Sequence, residues 1–334
     1  MKVIAFYNEE WEREHLAKNL SEHELVLLKG HFSDHPYLGD SETSVLGVFV
    51  TDHIGIAELG RFPNLKAIVA FSTGHDNVDK EAAHKKNIVV VNVPTYGENT
   101  VAEYTFALLL TLSRRVFEAY DRIVKSGTFK AEGLRGFDIC CKTMGVVGTG
   151  HIGARVIKIA KGFGMNVVAF DMFPNEKLAK ELDFKYVSLD ELLGQSDVIS
   201  LHAPLTKDTS HIINESSLPK IKRGSYLINT SRGALVETRA LIMGLEQGIF
   251  AGAGLDVLEE EGGMDHRLEL IMGAHPNPES LKIVLENQYL IDHPGVIITP
   301  HNAFNTREAI TRILDTSIEN IKAIAKGEPI NIVN

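Results

Sequence analysis

Cysteine is almost absent from this chain of 334 residues, which has only two, Cys140 and Cys141, side by side. Neighbouring cysteines rarely form a relaxed disulfide, and two cysteines are too few for a disulfide-stapled scaffold or a zinc site. We therefore expect reduced thiols, no metal centre and an intracellular protein.

Long apolar runs are also missing. The most apolar segment, residues 106–112, is far shorter than the roughly 20 residues that a transmembrane helix needs. The apolar start of the chain, residues 2–7, runs directly into Asn8, Glu9 and Glu10, so it is too short for a signal peptide. These two absences predict a cytoplasmic protein that does not associate with a membrane.

Positive charge is in deficit. The chain has 34 Lys and Arg against 44 Asp and Glu, which gives a formal net charge of −10 at pH 7. Proteins that bind nucleic-acid phosphates concentrate basic residues on one face, and the sequence has no Lys/Arg cluster. We expect no nucleic-acid partner, although a small anionic substrate is compatible with a locally positive site.

What the sequence does have is a regular alternation of short β-rich runs and helical patterns. The predicted strands are 2–7, 24–28, 45–50, 65–71, 88–91, 143–147, 166–171, 197–202, 225–229, 253–257 and 296–299. The predicted helices include 9–20, 79–86, 100–124, 175–182, 188–194, 237–247 and 305–325. This alternation is typical of a parallel α/β architecture, and the length favours two domains. The stretch between Glu261 and Gly295 lacks this rhythm and is interpreted as an insertion with a helical piece.

A glycine-rich turn stands between a short apolar strand and an amphipathic helix. Its residues are Gly148, Thr149, Gly150, His151, Ile152 and Gly153. In a βαβ unit the first glycine permits the tight turn, the second lets the backbone approach a pyrophosphate, and the third lets helix and strand pack closely. A bare match would be an ordinary glycine turn, but this strand and helix context predicts a dinucleotide site.

The acid Asp171 closes the strand that follows this turn. At this position a carboxylate accepts hydrogen bonds from the ribose hydroxyls and repels a 2′-phosphate. No arginine follows, because the next residues are Met172 and Phe173. The sequence therefore favours NAD over NADP.

Three later segments each end a predicted strand with a reactive side chain: Arg232, the acids around Glu259, and His301. Ligands of open parallel sheets bind at the carboxyl ends of strands, so these groups are candidates for one site. Arginine grips a carboxylate through two hydrogen bonds, and histidine exchanges a proton near neutral pH. Together they suit hydride chemistry at a carbon that bears oxygen.

Several stretches, taken together, resemble the D-isomer-specific 2-hydroxyacid dehydrogenase family over essentially the whole chain. They are residues 72–79, 101–103, 147–153, 202–206, 229–233, 256–257 and 299–301. The resemblance implies two Rossmann-like, doubly wound parallel-sheet domains with a cleft between them. The substrate domain would be discontinuous, with residues 1–100 plus 302–334, and the NAD-binding domain would span 101–301.

The resemblance also implies a catalytic set, made of Arg232, Glu261 and His301. Glu261 is chosen because it lies five residues after Asp256, as in the family pattern. The usual proline after that glutamate is replaced by Gly262, and Glu259 and Glu260 are neighbouring alternatives.

The binding residues come from the same resemblance. Those implied for the cofactor are Gly148, Gly150, His151, Ile152, Gly153, Asp171, Ala203, Pro204, Thr209, Thr230, Arg232 and Asp256. Those implied for the substrate are Thr73, Gly74, Tyr96 and Arg232.

The implied activity is an NAD-dependent interconversion of a 2-oxo acid and a D-2-hydroxy acid, most like that of D-lactate dehydrogenases and close relatives. Asn305 stands where those enzymes often have tyrosine, which leaves the preferred substrate side chain open. Two alternatives also stay open: an NAD-sensing, corepressor-like binding protein, and a glycerate or phosphoglycerate-type dehydrogenase. A homodimer is expected, with the helix at 100–124 as an interface element.

Overall fold

The structure, a computed structural model, describes residues 1–261 and 278–333, without the side chain of Glu279. The chain divides into two compact units. Unit 1 comprises Met1–Tyr96 and Asn305–Asn334, and unit 2 comprises Gly97–Phe304. Within the described ranges, every helix is too short or too polar to cross a bilayer.

Strands and helices alternate along the chain. The strands are β1 Lys2–Tyr7, β2 Glu24–Lys29, β3 Thr43–Val48, β4 Ala67–Ala70, β5 Val89–Val91, β6 Thr143–Val147, β7 Asn166–Phe170, β8 Lys185–Tyr186, β9 Val198–Leu201, β10 Ser225–Asn229, β11 Phe250–Leu255 and β12 Val296–Ile298. The α-helices are α1 Glu10–Asn19, α2 Ile56–Gly60, α3 Lys80–Lys85, α4 Glu98–Arg114, α5 Val116–Ser126, α6 His151–Gly162, α7 Glu176–Leu182, α8 Leu189–Gln195, α9 Thr238–Glu246, α10 Pro278–Asp292 and α11 Arg307–Lys326.

Unit 1 is built on a parallel sheet in the order β2-β1-β3-β4-β5. Helix α11 comes from the end of the chain and packs against α1 and β4. Its Asn320 is fully buried and donates a hydrogen bond to the carbonyl of Asn92, just after β5. The apolar residues of α11 recur at helical spacing, and this pattern predicted the helix.

Unit 2 has a parallel sheet in the order β12-β11-β10-β9-β6-β7-β8. The strand order changes direction at β6 and β9, which pair directly, so the carboxyl ends of these strands form a topological switch point. Apolar side chains pack in separate clusters around Leu227 and Met144, and α4 covers the sheet beside α6. The two parallel sheets with interleaved helices confirm the predicted α/β, Rossmann-like class.

Three local features differ from the sequence expectations. The single helix predicted at 100–124 is two helices, because Arg115 adopts a left-handed conformation with φ of 51°. Strand β8 and helix α2 were not predicted, since two and five residues are too few to show a periodic pattern. The insertion predicted between Glu261 and Gly295 does contain a helical piece, α10, while its residues 262–277 lie outside the described residues.

Candidate active site

The glycine turn between β6 and α6 is shaped by close backbone contacts. Gly148 has φ of 92°, and a Cβ atom there would lie 2.6 Å from the backbone nitrogen of Ala203. A Cβ atom on Gly153 would lie 2.0 Å from the carbonyl oxygen of Gly148. At Gly150, by contrast, a Cβ atom would meet nothing within 4 Å. The first and third glycines therefore serve packing within the turn, and the second leaves an open approach to the backbone.

This open approach leads to the amino end of helix α6. The helix begins at His151 and Ile152, its N-cap Gly150 provides no side-chain hydrogen bond, and its first turn has no acidic residue. The first amide groups of a helix have no partner within it, and its dipole favours negative charge there. The turn thus fits the pyrophosphate of a dinucleotide, which His151 and Ile152 would bind through their main chain.

Asp171 follows β7 and faces the same turn. Its Oδ2 accepts hydrogen bonds from the backbone nitrogen and the hydroxyl of Thr149, at 2.6 and 2.9 Å. Its Oδ1 accepts a hydrogen bond from the Phe173 nitrogen at 2.9 Å. Burial alone would raise the pKa of Asp171, but these hydrogen bonds outweigh it and lower the pKa below the ordinary value. The side chain is therefore a fixed anion at the position where the ribose is expected.

Four further residues predicted to line the cofactor pocket lie after β9 and β10. Ala203 and Pro204 follow β9, and the hydroxyl of Thr209 donates to the Pro204 carbonyl at 2.6 Å, which closes this loop. The hydroxyl of Thr230 lies 3.0 Å from that of Thr105 on α4, and both side chains are buried. This contact joins the end of β10 to α4, and cofactor binding by Ala203, Pro204, Thr209 and Thr230 stays a prediction.

The turn after β12 presents His301. Asp256, which is only 1% exposed, accepts hydrogen bonds from the Thr299 hydroxyl and from the backbone nitrogens of Asn302 and Ala303, at 2.6, 2.8 and 2.7 Å. His301 itself has φ of 49°, and its backbone nitrogen donates to the Asp256 carbonyl. Burial raises the pKa of the Asp256 carboxyl, although these hydrogen bonds oppose it. Asp256 therefore shapes the turn that carries His301.

The imidazole of His301 is oriented by Glu261. Its Nδ1 lies 2.8 Å from Glu261 Oε1. Because a carboxylate only accepts hydrogen bonds, the proton of this pair belongs on Nδ1 of the imidazole. Nε2 is then the nitrogen available for proton exchange, and the acid–base role of His301 stays a prediction.

The neighbouring Glu259 is engaged elsewhere. Its carboxylate lies 2.6 Å from Nε2 of His211 and accepts two hydrogen bonds from Thr238, at the start of α9. Of the three adjacent acids, Glu261 is thus the one in contact with His301. The geometry therefore agrees with the choice of Glu261 by its spacing from Asp256, and the catalytic role of Glu261 stays a prediction.

Arg232 lies in the turn after β10. Its carbonyl accepts a hydrogen bond from the side chain of Asn229, and its guanidinium donates to the Ser231 carbonyl at 2.7 Å. A Cβ atom on the next residue, Gly233, would lie 2.0 Å from the carbonyl carbon of Leu258. The turn of Arg232 therefore packs directly on the segment that leads to Glu261.

The predicted substrate residues of unit 1 cluster beyond β4 and β5. The Thr73 hydroxyl donates to the Val93 carbonyl, and the Thr73 carbonyl accepts a hydrogen bond from Asn92, both at 2.7 Å. The Gly74 carbonyl accepts a hydrogen bond from Ser72 at 2.6 Å. Tyr96 ends the same segment, where its carbonyl accepts a hydrogen bond from Arg312. Substrate binding by Thr73, Gly74 and Tyr96 stays a prediction.

Two side chains that organise the unit 2 turns were missed from the sequence. Tyr186 contacts the Thr149 hydroxyl from a two-residue strand, which has no periodic signal. His211 contacts Glu259 across 48 positions of sequence, a distance that no local pattern reports.

Comparison with known proteins agrees with this geometry. The family model described as D-isomer specific 2-hydroxyacid dehydrogenase, NAD binding domain, matches residues 106–303. A 2-hydroxyacid dehydrogenase homolog of Zymomonas mobilis is 37% identical over 333 residues, covering 98% of each chain. A glyoxylate reductase of Korarchaeum cryptofilum is 39% identical over 290 residues, covering 85% of this chain and 81% of the relative.

Solved structures give the same result. The crystal structure of D-lactate dehydrogenase from Aquifex aeolicus, complexed with NAD and lactic acid, superposes with a TM-score of 0.86. The two chains are 36% identical, and the match covers 99% of this chain and 98% of that one. With an open glycine turn, a fixed acid beside it and a histidine–glutamate pair in the same unit, the chain belongs to the D-isomer-specific 2-hydroxyacid dehydrogenase family and is an NAD-dependent enzyme.

Proposed function

We propose that this enzyme interconverts small 2-oxo acids and D-2-hydroxy acids, with pyruvate and D-lactate as the reference pair. The observation that carries the proposal is the pairing of His301 with Glu261, which leaves Nε2 as the proton-exchanging atom. When bound, NADH supplies the hydride that reaches C2 of the 2-oxo acid. His301 gives the matching proton to the carbonyl oxygen, and takes it back in the oxidation.

In this proposal the remaining residues hold the substrate. Arg232 binds its carboxylate through two hydrogen bonds and polarises the neighbouring carbonyl. In unit 1 the backbone amides of Thr73 and Gly74 are the groups proposed to bind a substrate carboxylate, and Tyr96 is proposed to contact the substrate side chain. Unit 1 would then be the substrate domain, and unit 2 would be the NAD domain.

The substrate range is inferred from the relatives. Their names include a glyoxylate reductase and a D-lactate dehydrogenase, which supports 2-oxo acids with very small side chains. The test is a panel from glyoxylate through pyruvate to branched and aromatic 2-oxo acids, with NADH oxidation followed by absorbance. We expect the highest kcat/KM for glyoxylate or pyruvate.

The panel also separates the alternatives. Tight NADH binding without turnover of any acid would identify an NAD sensor instead. A preference for hydroxypyruvate or its phosphorylated form would identify a glycerate or phosphoglycerate-type enzyme.

We also propose that the enzyme is a cytoplasmic homodimer. Helix α5 has no buried residue, and apolar side chains recur along it at helical spacing. The exposed residues are Val116, Phe117, Tyr120, Ile123 and Val124. An apolar face of this kind on a soluble enzyme suits a second copy of the chain. The chain has only two cysteines, the neighbours Cys140 and Cys141, and so few cysteines suit the cytoplasmic setting.

The oligomer is tested by light scattering coupled to gel filtration. We expect a dimer for the native chain and a monomer for the double variant Phe117→Asp, Tyr120→Asp. A native chain that elutes as a monomer at assay concentration would contradict the dimer.

A further inference from the structure

We propose that Tyr186 and Thr149 are positioning residues that hold Asp171 in place through a one-way chain of hydrogen bonds, and so strengthen the preference for NAD over NADP. The inference rests on the proposed ribose-binding role of Asp171. It concerns two side chains that do not themselves need to touch the cofactor.

The chain of hydrogen bonds starts at a backbone amide and ends at the carboxylate. The Asn175 nitrogen donates to the Tyr186 hydroxyl at 3.1 Å. The Tyr186 and Thr149 hydroxyl oxygens are 2.8 Å apart, and Thr149 Oγ1 lies 2.9 Å from Asp171 Oδ2. All four residues belong to unit 2.

Chemistry decides the direction of each bond. An ionised carboxylate only accepts, so the Thr149 hydroxyl must donate its single hydrogen to Asp171. Thr149 can then only accept from Tyr186, whose own hydrogen therefore points to Thr149. The Tyr186 oxygen is left as an acceptor, which matches the incoming Asn175 amide. Each donor has one acceptor, and no hydroxyl in the chain is left to rotate.

This arrangement fixes the carboxylate of Asp171. The backbone nitrogen and hydroxyl of Thr149 occupy Oδ2, and the Phe173 nitrogen occupies one position on Oδ1. A carboxylate has about four acceptor positions, so roughly one remains, on Oδ1, for a ribose hydroxyl. A carboxylate held by hydrogen bonds on both oxygens also cannot rotate away from a 2′-phosphate. Its electrostatic repulsion of NADP therefore persists.

Tyr186 is itself held by the sheet. It lies on β8, where it pairs with Ala169 of β7, and its ring packs edge-on against Phe184 with centroids 5.0 Å apart. Replacing the hydroxyl alone, in Tyr186→Phe, therefore keeps the ring packing and the strand pairing. The two-residue strand β8 thus brings a hydroxyl to the glycine turn.

The experiment measures the dissociation constants of NADH and NADPH by fluorescence titration, without turnover. Tyr186→Phe removes both hydrogen bonds of the Tyr186 hydroxyl, of which the one to Thr149 leads to Asp171. For the loss of that one bond we expect NADH to bind about 2- to 12-fold more weakly. NADPH should lose less, because freeing the carboxylate relieves its repulsion, so the NADH/NADPH preference falls. Tyr226→Phe, which removes a hydroxyl from β10 of the same sheet, is the matched control and should leave both constants unchanged.

A double-mutant cycle separates the hydrogen-bond chain from simple packing. Thr149→Val removes the central hydroxyl, and Thr149→Ser keeps it, so the serine variant should retain the native preference. Once Thr149 is valine, Tyr186 has lost its acceptor in the chain. The double variant should therefore bind NADH within about twofold of Thr149→Val alone, since coupled residues are non-additive.

Each outcome decides the proposal. Unchanged NADH and NADPH affinities in Tyr186→Phe, or additive losses in the double variant, would overturn it. Asp171→Ala is measured beside them. If Asp171→Ala shifts the cofactor preference and Tyr186→Phe does not, only the positioning role fails. If Asp171→Ala has no effect either, the ribose-binding role of Asp171 fails as well.

Discussion

In unit 1 the turn between β1 and α1 is closed by a carboxylate, whereas in unit 2 the turn between β6 and α6 is left open by a glycine. Glu12, which is 5% exposed, accepts hydrogen bonds from the backbone nitrogens of Asn8 and Glu9 at 2.7 and 3.3 Å. Gly150 provides no such group, and the first turn of α6 has no acid.

The difference shows how one architecture serves two purposes. Both sheets are parallel, and both turns lead from a strand into a helix that begins with unpaired amide groups. In unit 1 the Asn8 and Glu9 amides just before α1 bind the Glu12 carboxylate, and Glu10 in the first turn of the helix adds further negative charge. In unit 2 the first amides of α6 are available to the phosphates of a cofactor. The side chains of the turn, and not the fold, decide which unit binds the dinucleotide.

The largest effect is expected from Arg232, in the turn after β10 of unit 2. Arg232→Lys should lower kcat/KM for the best 2-oxo acid about 10- to 150-fold. A lysine cannot reproduce the planar two-bond grip, and a charged hydrogen bond is worth roughly 1.5–3 kcal/mol. Steady-state kinetics measure the loss, with Arg239→Lys as the control, since Arg239 pairs with Glu215 on the surface. Near-normal efficiency would show that Arg232 only supports the turn.

The next variant closes the open turn directly. Gly150→Ala should leave the free enzyme folded, because a Cβ atom there meets nothing within 4 Å. It should weaken NADH binding about 5- to 150-fold, since overpacking against a ligand costs roughly 1–3 kcal/mol. Gly162→Ala, in equally open space at the far end of α6, is the control. Equal NADH affinity in the two variants would show that cofactor binding does not depend on the open approach at Gly150.

The units should also differ in their response to acid. Burial lowers the pKa of His202 in unit 2 to about 3, so the folded protein stays neutral there while the unfolded chain takes up a proton. The contribution of the neutral His202 to the free energy of unfolding is fully present above its unfolded pKa near 6.5. It is lost as the pH falls towards its folded pKa of about 3. Between pH 7 and 5 the loss from this residue should be about 2 kcal/mol.

Urea unfolding at the two pH values measures this loss. In His202→Gln the decline in stability between pH 7 and 5 should be smaller than in the native chain. In His84→Gln, which changes an exposed histidine of unit 1, the decline should be unchanged. Equal declines in all three proteins would contradict the prediction.

A smaller effect is expected from the closed turn of unit 1. Glu12→Ala should lower the free energy of unfolding by about 1 kcal/mol, the usual cost of losing a helix cap. Glu12→Gln should lose less, because an amide oxygen still accepts from Asn8 and Glu9. Neither variant should change the NADH dissociation constant, and a change there would mean that the cofactor uses both turns.

The smallest effect concerns the pairing of Glu261 with His301. In Glu261→Gln the imidazole loses the carboxylate that orients it, so kcat/KM for the best 2-oxo acid should fall. The two side chains are 43% and 19% exposed, and an exposed ion pair is worth about 0.2–1 kcal/mol, so the loss should be roughly 1.4- to 5-fold. Steady-state kinetics measure it, with Glu260→Gln as the control. An unchanged kcat/KM would reject Glu261 as the partner.

The sequence by itself determined the features that depend on local patterns. The alternation of strands and helices follows from hydrophobic periodicity, and the predicted strands of unit 2 agree with β6, β7, β9, β10, β11 and β12 to within a few residues. The glycine turn was recognised from its pattern between a strand and a helix. The structure explains that pattern, because Gly148 has a positive φ and Gly153 has no room for a side chain. The acid after β7 was recognised by its place in the same unit.

Only the tertiary structure decided which distant side chains meet. Spacing from Asp256 favoured Glu261 over its neighbours Glu259 and Glu260, but it did not show which acid contacts His301. The pairing of Glu259 with His211 and of Glu261 with His301 exists only in the folded chain. The contact between Thr149 and Tyr186 spans 37 positions and depends on the pairing of β8 with β7. Hydrogen bonds of this kind depend on three-dimensional distance and direction, which sequence periodicity does not encode.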